Sequence, residues 1–105
     1  MPQFAVHRNP NRATRAAIPL LLDVQSDLLD ELDTCVVVPL YKSSSLHGGV
    51  IKILTPTFEL DGKRYVALTP QLAGIPRKAL GAQVADLSER RYDIIAALDL
   101  LVTGI

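Results

Sequence analysis

Two runs of alternating apolar and polar residues flank Asp61-Gly62 in residues 57–69, TFELDGKRYVALT. A type I′ turn requires positive φ at both of its central residues, and Asp-Gly is one of the dipeptides that adopt this conformation readily. The segment is therefore predicted to form a two-residue β-hairpin. An isolated hairpin is only marginally stable in water, so the rest of the chain is expected to supply more strands.

Other short apolar segments have the length of strands and are bounded by turn-forming residues. One of them, TCVVVPL, is rich in β-branched residues and is predicted to be buried on both faces. Residues 41–49, YKSSSLHGG, are predicted to form a loop, and residues 70–83 a connector with one possible helical turn. The predicted strands outside the hairpin are QFAVH, PLLLDVQ, TCVVVPL and VIKIL.

A single helix is predicted from Asp86 to the end of the chain. Ser88 is a suitable N-cap residue, and Leu87 with Tyr92 has the spacing of a hydrophobic staple. At about 100° per residue, the apolar residues of the helix fall within an arc of roughly 120°, which is expected to pack on a sheet. These residues are Ile94, Ile95, Leu98, Leu101, Val102 and Ile105.

Leu100 lies about 160° from the centre of that arc, so either the sheet wraps around to cover it or another chain does. The predicted fold class is α+β, mainly β. Residues 1–105 are expected to form one domain, with about five antiparallel strands in a small barrel or curled sheet and one C-terminal helix.

The composition excludes several classes of protein. Apolar residues make up 49% of 105 residues, which argues against disorder. Lys plus Arg equals Asp plus Glu at 11 each, so bulk charge indicates neither a nucleic acid nor a membrane partner. No apolar run approaches the roughly 18 residues of a spanning helix. With Cys35 alone no intrachain disulfide can form, and a cytoplasmic location is predicted.

Charge is segregated along the chain although the totals balance. Residues 1–20 carry three arginines and no acid, whereas residues 21–33 carry five acids and no base. One interpretation is a pair of solvated loops that attract each other. The other is an acidic binding loop studded with apolar residues, DVQSDLLDELD. The charged residues are Arg8, Arg12 and Arg15, and Asp23, Asp27, Asp30, Glu31 and Asp33.

The sequence contains no recognisable catalytic motif, and no cofactor or metal is expected. His7 and His47 have no Cys, Asp or Glu at metal-ligand spacing, and both are predicted to lie at the surface. Cys35 is predicted to be a buried, inert thiol. His7 with Arg8 is the one pairing that could serve an RNA-cleaving enzyme. An interaction protein is therefore favoured over an enzyme.

Several blocks follow one another in an order typical of the CcdB family of plasmid-maintenance toxins, which this chain resembles over essentially its whole length. They are QFAVHRN, LLLDVQSDLLD, VVVPL, ELDGKRYVALT, LAGIP and GAQVADLSERRYDIIAALDLLVTGI. The resemblance implies an SH3-like barrel with a C-terminal helix and a homodimer without enzymatic activity. It also implies a toxin that wedges between the two arms of the DNA gyrase A subunits, traps gyrase on cleaved DNA, and is neutralised by the antitoxin CcdA.

The resemblance places gyrase contacts in two segments. The first is Leu28 and Leu29, for which burial in the core is the competing interpretation. The second is the end of the helix, where Thr103 stands in place of the family's Trp, Val102 in place of a larger aromatic residue, and Asp99 in place of an amide. A non-toxic or weakly toxic relative that still binds its antitoxin therefore remains an alternative. The second segment comprises Asp99, Val102, Thr103, Gly104 and Ile105. Gly104 lacks a Cβ atom and is predicted to leave the helix in a left-handed conformation.

Overall fold

The structure is a computed structural model that describes residues 2–45 and 52–104. These residues contain seven strands, one α-helix and several short 3₁₀ turns. The strands are β1 (Ala5–Arg8), β2 (Leu20–Asp23), β3 (Thr34–Lys42), β4 (Thr57–Leu60), β5 (Lys63–Ala67), β6 (Ala73–Pro76) and β7 (Gln83–Asp86), and the helix is α1 (Arg91–Thr103). The 3₁₀ turns are Asp27–Leu29, Ser43–Ser45, Thr69–Gln71, Arg77–Ala79 and Ser88–Arg90.

All strand pairs are antiparallel, in the order β4-β5-β3-β2-β1-β7, with β6 paired to β3. The nine-residue strand β3 organises this sheet, because it pairs with β2 and also with two further strands in succession. Its residues 34–37 pair with β6 and its residues 40–42 pair with β5. The result is a curled half-barrel with one C-terminal helix, which confirms the predicted α+β, mainly β class.

The predicted hairpin is confirmed as the β4–β5 unit. Leu60 pairs with Lys63, so Asp61 and Gly62 are the two turn residues. Their φ angles are 52° and 76°, the positive values that a type I′ turn requires.

Two predictions about strands are wrong. The segment predicted to be a connector, residues 70–83, contains β6 and the first residue of β7, although Pro and Gly give it low strand propensity. Pairing of β6 with β3 and of β7 with β1 satisfies its backbone groups, so tertiary context overrides propensity. In VIKIL, Lys52–Leu54 form a turn rather than a strand, and Val50 and Ile51 lie outside the described residues.

The helix packs on the sheet through its first half. Ile94 and Ala97 are buried, and Ile95 and Leu98 are partly buried against the core. The predicted stripe does not stay covered to the end of α1, because Leu101 is 37% and Val102 77% exposed. Leu100, predicted to lie off the stripe, is half-buried. The main core cluster comprises Phe4, Val6, Leu20, Leu22, Val24, Val38, Leu40, Phe58, Tyr65, Ala67, Leu87 and Ile94.

The helix begins differently from the prediction. Neither the 3₁₀ turn Ser88–Arg90 nor α1 has a side-chain hydrogen bond at its N-cap, so the predicted Ser88 cap does not form. Asp86 Oδ1 instead accepts the backbone N–H of Ser88 at 2.7 Å just before the turn. Ser88–Arg90 form a 3₁₀ turn before α1. Leu87 lies in the core while Tyr92 is 83% exposed, so the predicted staple between them does not form.

Candidate functional site

The loop between β2 and β3 carries the most exposed large apolar side chain of the described residues. Leu28 is 93% exposed and Leu29 46% exposed, so neither is a core residue. They lie in the 3₁₀ turn Asp27–Leu29, where Ser26 Oγ accepts the backbone N–H of Leu28 at 3.2 Å. Leu32 in the same loop is about half-exposed. The interpretation that both leucines pack inside the fold is wrong.

Buried polar residues at the start of this loop determine its conformation. Asp23 Oδ1 accepts the backbone N–H of Gln25 at 2.9 Å. The Gln25 side chain then spans the base of the loop: Oε1 accepts the N–H of Val36 at 3.1 Å, and Nε2 donates to the Thr34 carbonyl at 3.1 Å. Nε2 also lies 3.4 Å from the Leu29 carbonyl. Buried polar groups that are paired in this way hold one conformation.

Arg77 holds the other end of the loop, and sequence analysis did not identify this residue. Its Nε donates to the Leu32 carbonyl at 2.6 Å and its Nη2 to the Leu29 carbonyl at 3.1 Å. Its backbone N–H donates to the Asp33 carbonyl at 2.8 Å. The acidic run in the loop is the only sequence signal for a basic side chain at this place, and it does not indicate which basic residue would lie there.

The predicted attraction between the acidic loop and the N-terminal arginines is also wrong in detail. The ion pair of this loop in the described residues joins Asp30 to Arg77, at 3.9 Å. Asp23 is not solvated but buried. Arg8, Arg12 and Arg15 instead line a separate cleft of about 620 Å³ with Gly81. The two charged segments lie at opposite ends of the antiparallel β1–β2 pair, because Arg8 is paired with Leu20 at one end and the Asp23 carbonyl accepts the Phe4 N–H at the other.

The C-terminal end of α1 forms a second exposed surface. Asp99, Thr103 and Gly104 are exposed, and Val102 is the most exposed apolar residue of the helix after Tyr92. Gly104 ends the helix in the left-handed conformation, with φ 75° and its N–H donating to the Leu100 carbonyl at 3.0 Å. This confirms the left-handed conformation predicted for Gly104. Ile105 lies outside the described residues.

Different parts of the fold position the two surfaces. The loop is hydrogen-bonded to Gln3 and Arg77, whereas α1 packs against Thr69–Gln71 and Ser88–Arg90. Within residues 2–45 and 52–104, no hydrogen bond or ion pair joins one surface to the other. A single partner that binds both surfaces would therefore have to extend from the loop between β2 and β3 to the C-terminal end of α1.

Cys35 is buried in β3, as predicted. Burial raises the pKa of its thiol to about 12, and the adjacent Asp23 contributes through a hydrogen bond and its negative charge. The thiol is therefore protonated at neutral pH and is a poor nucleophile.

The predicted surface position of His7 is wrong. His7 is 1% exposed because β1 lies between β2 and β7, and its Nδ1 is 3.1 Å from the Gly81 carbonyl oxygen. Arg8, the next residue, is exposed, and successive side chains of a strand point to opposite faces. The pair therefore does not form a site for RNA cleavage. His47 lies outside the described residues.

The described residues contain neither a metal-binding cluster nor a helix that could span a membrane. Across the described ranges no group of three or more His, Cys, Asp or Glu residues is arranged to hold a metal ion. No helix in the described part of the chain combines the length and apolar character needed to cross a bilayer.

The fold and its two exposed surfaces define a small, mainly β domain that ends in a helix with a glycine cap. Among protein families, the sequence model described as CcdB protein matches residues 3–104. The chain therefore belongs to the CcdB family. Membership of this family suggests a toxin of a toxin–antitoxin system.

Proposed function

We propose that this chain is the toxin of a type II toxin–antitoxin system, and that it binds the A subunit of DNA gyrase and traps gyrase on cleaved DNA. The observation that carries the proposal is the presentation of Leu28, which is 93% exposed on a loop held by partly buried hydrogen bonds of Gln25. A single exposed leucine is common. Three exposed leucines on one ordered loop are typical of a contact surface, and family membership supports a toxin.

Gyrase contacts are assigned to both surfaces. In the loop, Leu28 and Leu29 form an apolar centre, and the neighbouring carboxylates form a polar rim, which is the usual anatomy of a small interface. At the helix end, Val102 supplies the exposed apolar area. The helix-end contacts are Asp99, Val102, Thr103, Gly104 and Ile105.

The active form is proposed to be a homodimer in the cytoplasm, neutralised by a CcdA-like antitoxin. An apolar groove of about 550 Å³ on the outer face of the sheet supports the dimer. Leu21, Val37, Pro39 and Ile75 line this groove. Val37 and Pro39 are already buried, and a second copy of the chain would cover the partly exposed Leu21 and Ile75. No direct contact with nucleic acid, except through the antitoxin complex, and none with membrane is proposed.

Expression in a bacterium that contains gyrase tests the function. The wild-type chain should cause DNA breaks with gyrase covalently attached, together with a DNA damage response. A control chain that lacks Thr103, Gly104 and Ile105 should be expressed equally well and cause neither. Normal growth of cells that express the wild-type chain, with no DNA damage response, would show that the proposed function is wrong.

A second candidate is a non-toxic or weakly toxic module that still binds its antitoxin. The observation that favours it is Thr103, whose hydroxyl donates to the Asp99 carbonyl at 2.7 Å inside the helix. Hot spots at interfaces favour Trp, Tyr and Arg over Thr.

Pull-downs with the gyrase A subunit and with the cognate antitoxin separate the two candidates. Retention of the antitoxin alone would favour the second. Thr103→Trp should strengthen gyrase binding under the first, because an aromatic ring adds contact area where a hydroxyl contributes little.

A further inference from the structure

We propose that Arg77 is a positioning residue for the gyrase-binding loop, residues 26–33. In this proposal, Arg77 does not touch the partner. It holds the loop in the conformation that presents Leu28, and so determines the affinity of the loop for gyrase. The inference rests on the function proposed above and adds to it a residue outside both predicted contact surfaces.

The geometry shows how one side chain holds several points of the loop. Nε and Nη2 of Arg77 donate to the carbonyls of Leu32 and Leu29, at 2.6 and 3.1 Å, while its backbone N–H donates to the Asp33 carbonyl at 2.8 Å. The Arg77 side chain is only 19% exposed, whereas the loop residues Leu29 and Leu32 that accept its hydrogen bonds are themselves about half-exposed.

Arginine suits this position because its guanidinium presents donors in a rigid planar fork. The Leu29 and Leu32 carbonyls that it contacts are three residues apart. The single ammonium group of a lysine does not present two donors in this fixed planar arrangement. The Asp30 carboxylate, 3.9 Å away and half-exposed, adds only a weak ion pair. The backbone carbonyls therefore account for most of the restraint on the loop.

Arg77 is itself fixed to the sheet. It follows β6, which pairs with residues 34–37 of β3, immediately after the loop. Gln25 donates to the Leu29 carbonyl from the other side. The loop is thus held on both sides, and a partner that binds Leu28 meets a surface that is already ordered. Preordering of this kind lowers the entropic cost of binding.

The test uses full-length variants Arg77→Met and Arg77→Lys, with Lys78→Met as the matched control. Lys78 is the exposed neighbour of Arg77 and makes no hydrogen bond or ion pair with the described residues. Two properties are measured for each variant: amide hydrogen exchange along the chain and the dissociation constant for the gyrase A subunit. Binding is also measured in a Leu28→Ala background, in which the helix-end surface is intact.

Arg77→Met should accelerate exchange of the Leu29 and Leu32 amides about tenfold or more, and leave the amides of β1–β5 unchanged. The dissociation constant for gyrase A should rise about tenfold, since loss of charge-assisted hydrogen bonds costs enough for such a change. In the Leu28→Ala background the same substitution should have little further effect. Arg77→Lys should resemble Arg77→Met, and Lys78→Met should resemble wild type.

Three results would overturn the proposal. The first is that Arg77→Met leaves amide exchange in the loop unchanged. The second is that it accelerates exchange throughout the sheet, which would indicate a general role in stability. The third is that it weakens gyrase A binding equally in the wild-type and the Leu28→Ala backgrounds. If Arg77→Lys has the exchange rates and gyrase affinity of the wild type, the planar guanidinium is not required at this position. If the wild-type chain does not bind gyrase A, the proposed function fails, and hydrogen exchange alone decides whether Arg77 holds the loop.

Discussion

Asp23 and Gln25 show how buried polar residues support an exposed apolar one. Both are buried, and their side chains accept the N–H groups of Gln25 and Val36. An unpaired buried donor costs about 1–3 kcal/mol, so these bonds strongly favour one loop conformation. Leu28, three residues after Gln25, is therefore exposed because of the polar residues that precede it.

Replacement of Leu28 and Leu29 together by serine should leave stability nearly unchanged and weaken gyrase binding strongly, with the helix-end contacts left intact. Surface substitutions usually change the free energy of unfolding by about 0.5 kcal/mol or less, and neither residue is in the core. Leu22→Ala, in the core, is the control and should cost about 2–5 kcal/mol. Thermal unfolding and a gyrase A binding assay measure both effects. A large fall in the melting temperature of the double variant would contradict the exposed position of the loop.

Cys35 should not react with iodoacetamide in the native protein at about pH 8, because burial raises its pKa to about 12. Unfolding in urea should make it reactive. The pKa in the folded state exceeds the ordinary value of 9.0, so the unfolded state loses its proton first as pH rises. The contribution of Cys35 to stability should therefore decrease from about pH 9 towards pH 12. Rapid labelling of the native thiol would contradict this environment.

The start of α1 depends on contacts that precede the helix. Asp86 accepts hydrogen bonds from the hydroxyl and the backbone N–H of Ser88, and these bonds lower the pKa of its carboxyl. Arg90 adds a hydrogen-bonded ion pair with Asp93 at 2.7 Å and lies 4.7 Å from the Phe58 ring centroid on β4. The turn before the helix is thus joined to both the helix and the sheet.

Asp86→Ala should lower the free energy of unfolding by about 1 kcal/mol, the usual net contribution of one hydrogen bond. The pKa of Asp86 in the folded state lies below its ordinary value of 3.8. Its stabilising contribution is therefore present above that value and disappears as pH falls through the folded pKa. Urea unfolding at neutral and acidic pH measures the difference between variant and wild type. Ser88→Ala is the control for the hydroxyl. An unchanged midpoint for Asp86→Ala at neutral pH would show that the bond between Asp86 and the Ser88 N–H does not stabilise the fold.

At the scale of the whole molecule, the described chain leaves apolar surface on several elements. The groove beside Leu21 and Ile75 lies on the outer face of the sheet, and Leu101 and Val102 extend the apolar surface of the helix past the core. Monomeric proteins rarely expose large contiguous apolar patches. A second copy of the chain would cover part of this surface.

Sedimentation at micromolar concentration should give a mass of twice the 11.4 kDa chain. Leu21→Glu should shift the equilibrium towards monomer, because a carboxylate in the groove would remain unpaired and buried at the interface. Tyr92→Glu is a suitable control, since Tyr92 is highly exposed and distant in sequence from the groove. A wild-type chain that sediments as a monomer, or a dimer unaffected by Leu21→Glu, would contradict the proposed assembly.

Local sequence patterns were sufficient for the features that depend on neighbouring residues. Asp61-Gly62 predicted the hairpin because the turn dihedrals are a property of those two residues. The apolar runs around Leu22 and Val38 predicted buried strands, and the 3.6-residue period after Ser88 predicted the helix. Gly104 was predicted to end the helix in the left-handed conformation because it lacks a Cβ atom.

Only the tertiary structure decided the features that depend on distant residues. β6 (Ala73–Pro76) forms despite its Gly and Pro because it pairs with β3. His7 is buried because β1 is an interior strand of the sheet. Arg77 is 48 residues from Leu29 in the chain, and no local pattern connects them. The sequence by itself therefore determined which segments became the hairpin, the central strands and the helix. Pairing between distant segments decided which side chains hold the candidate binding loop.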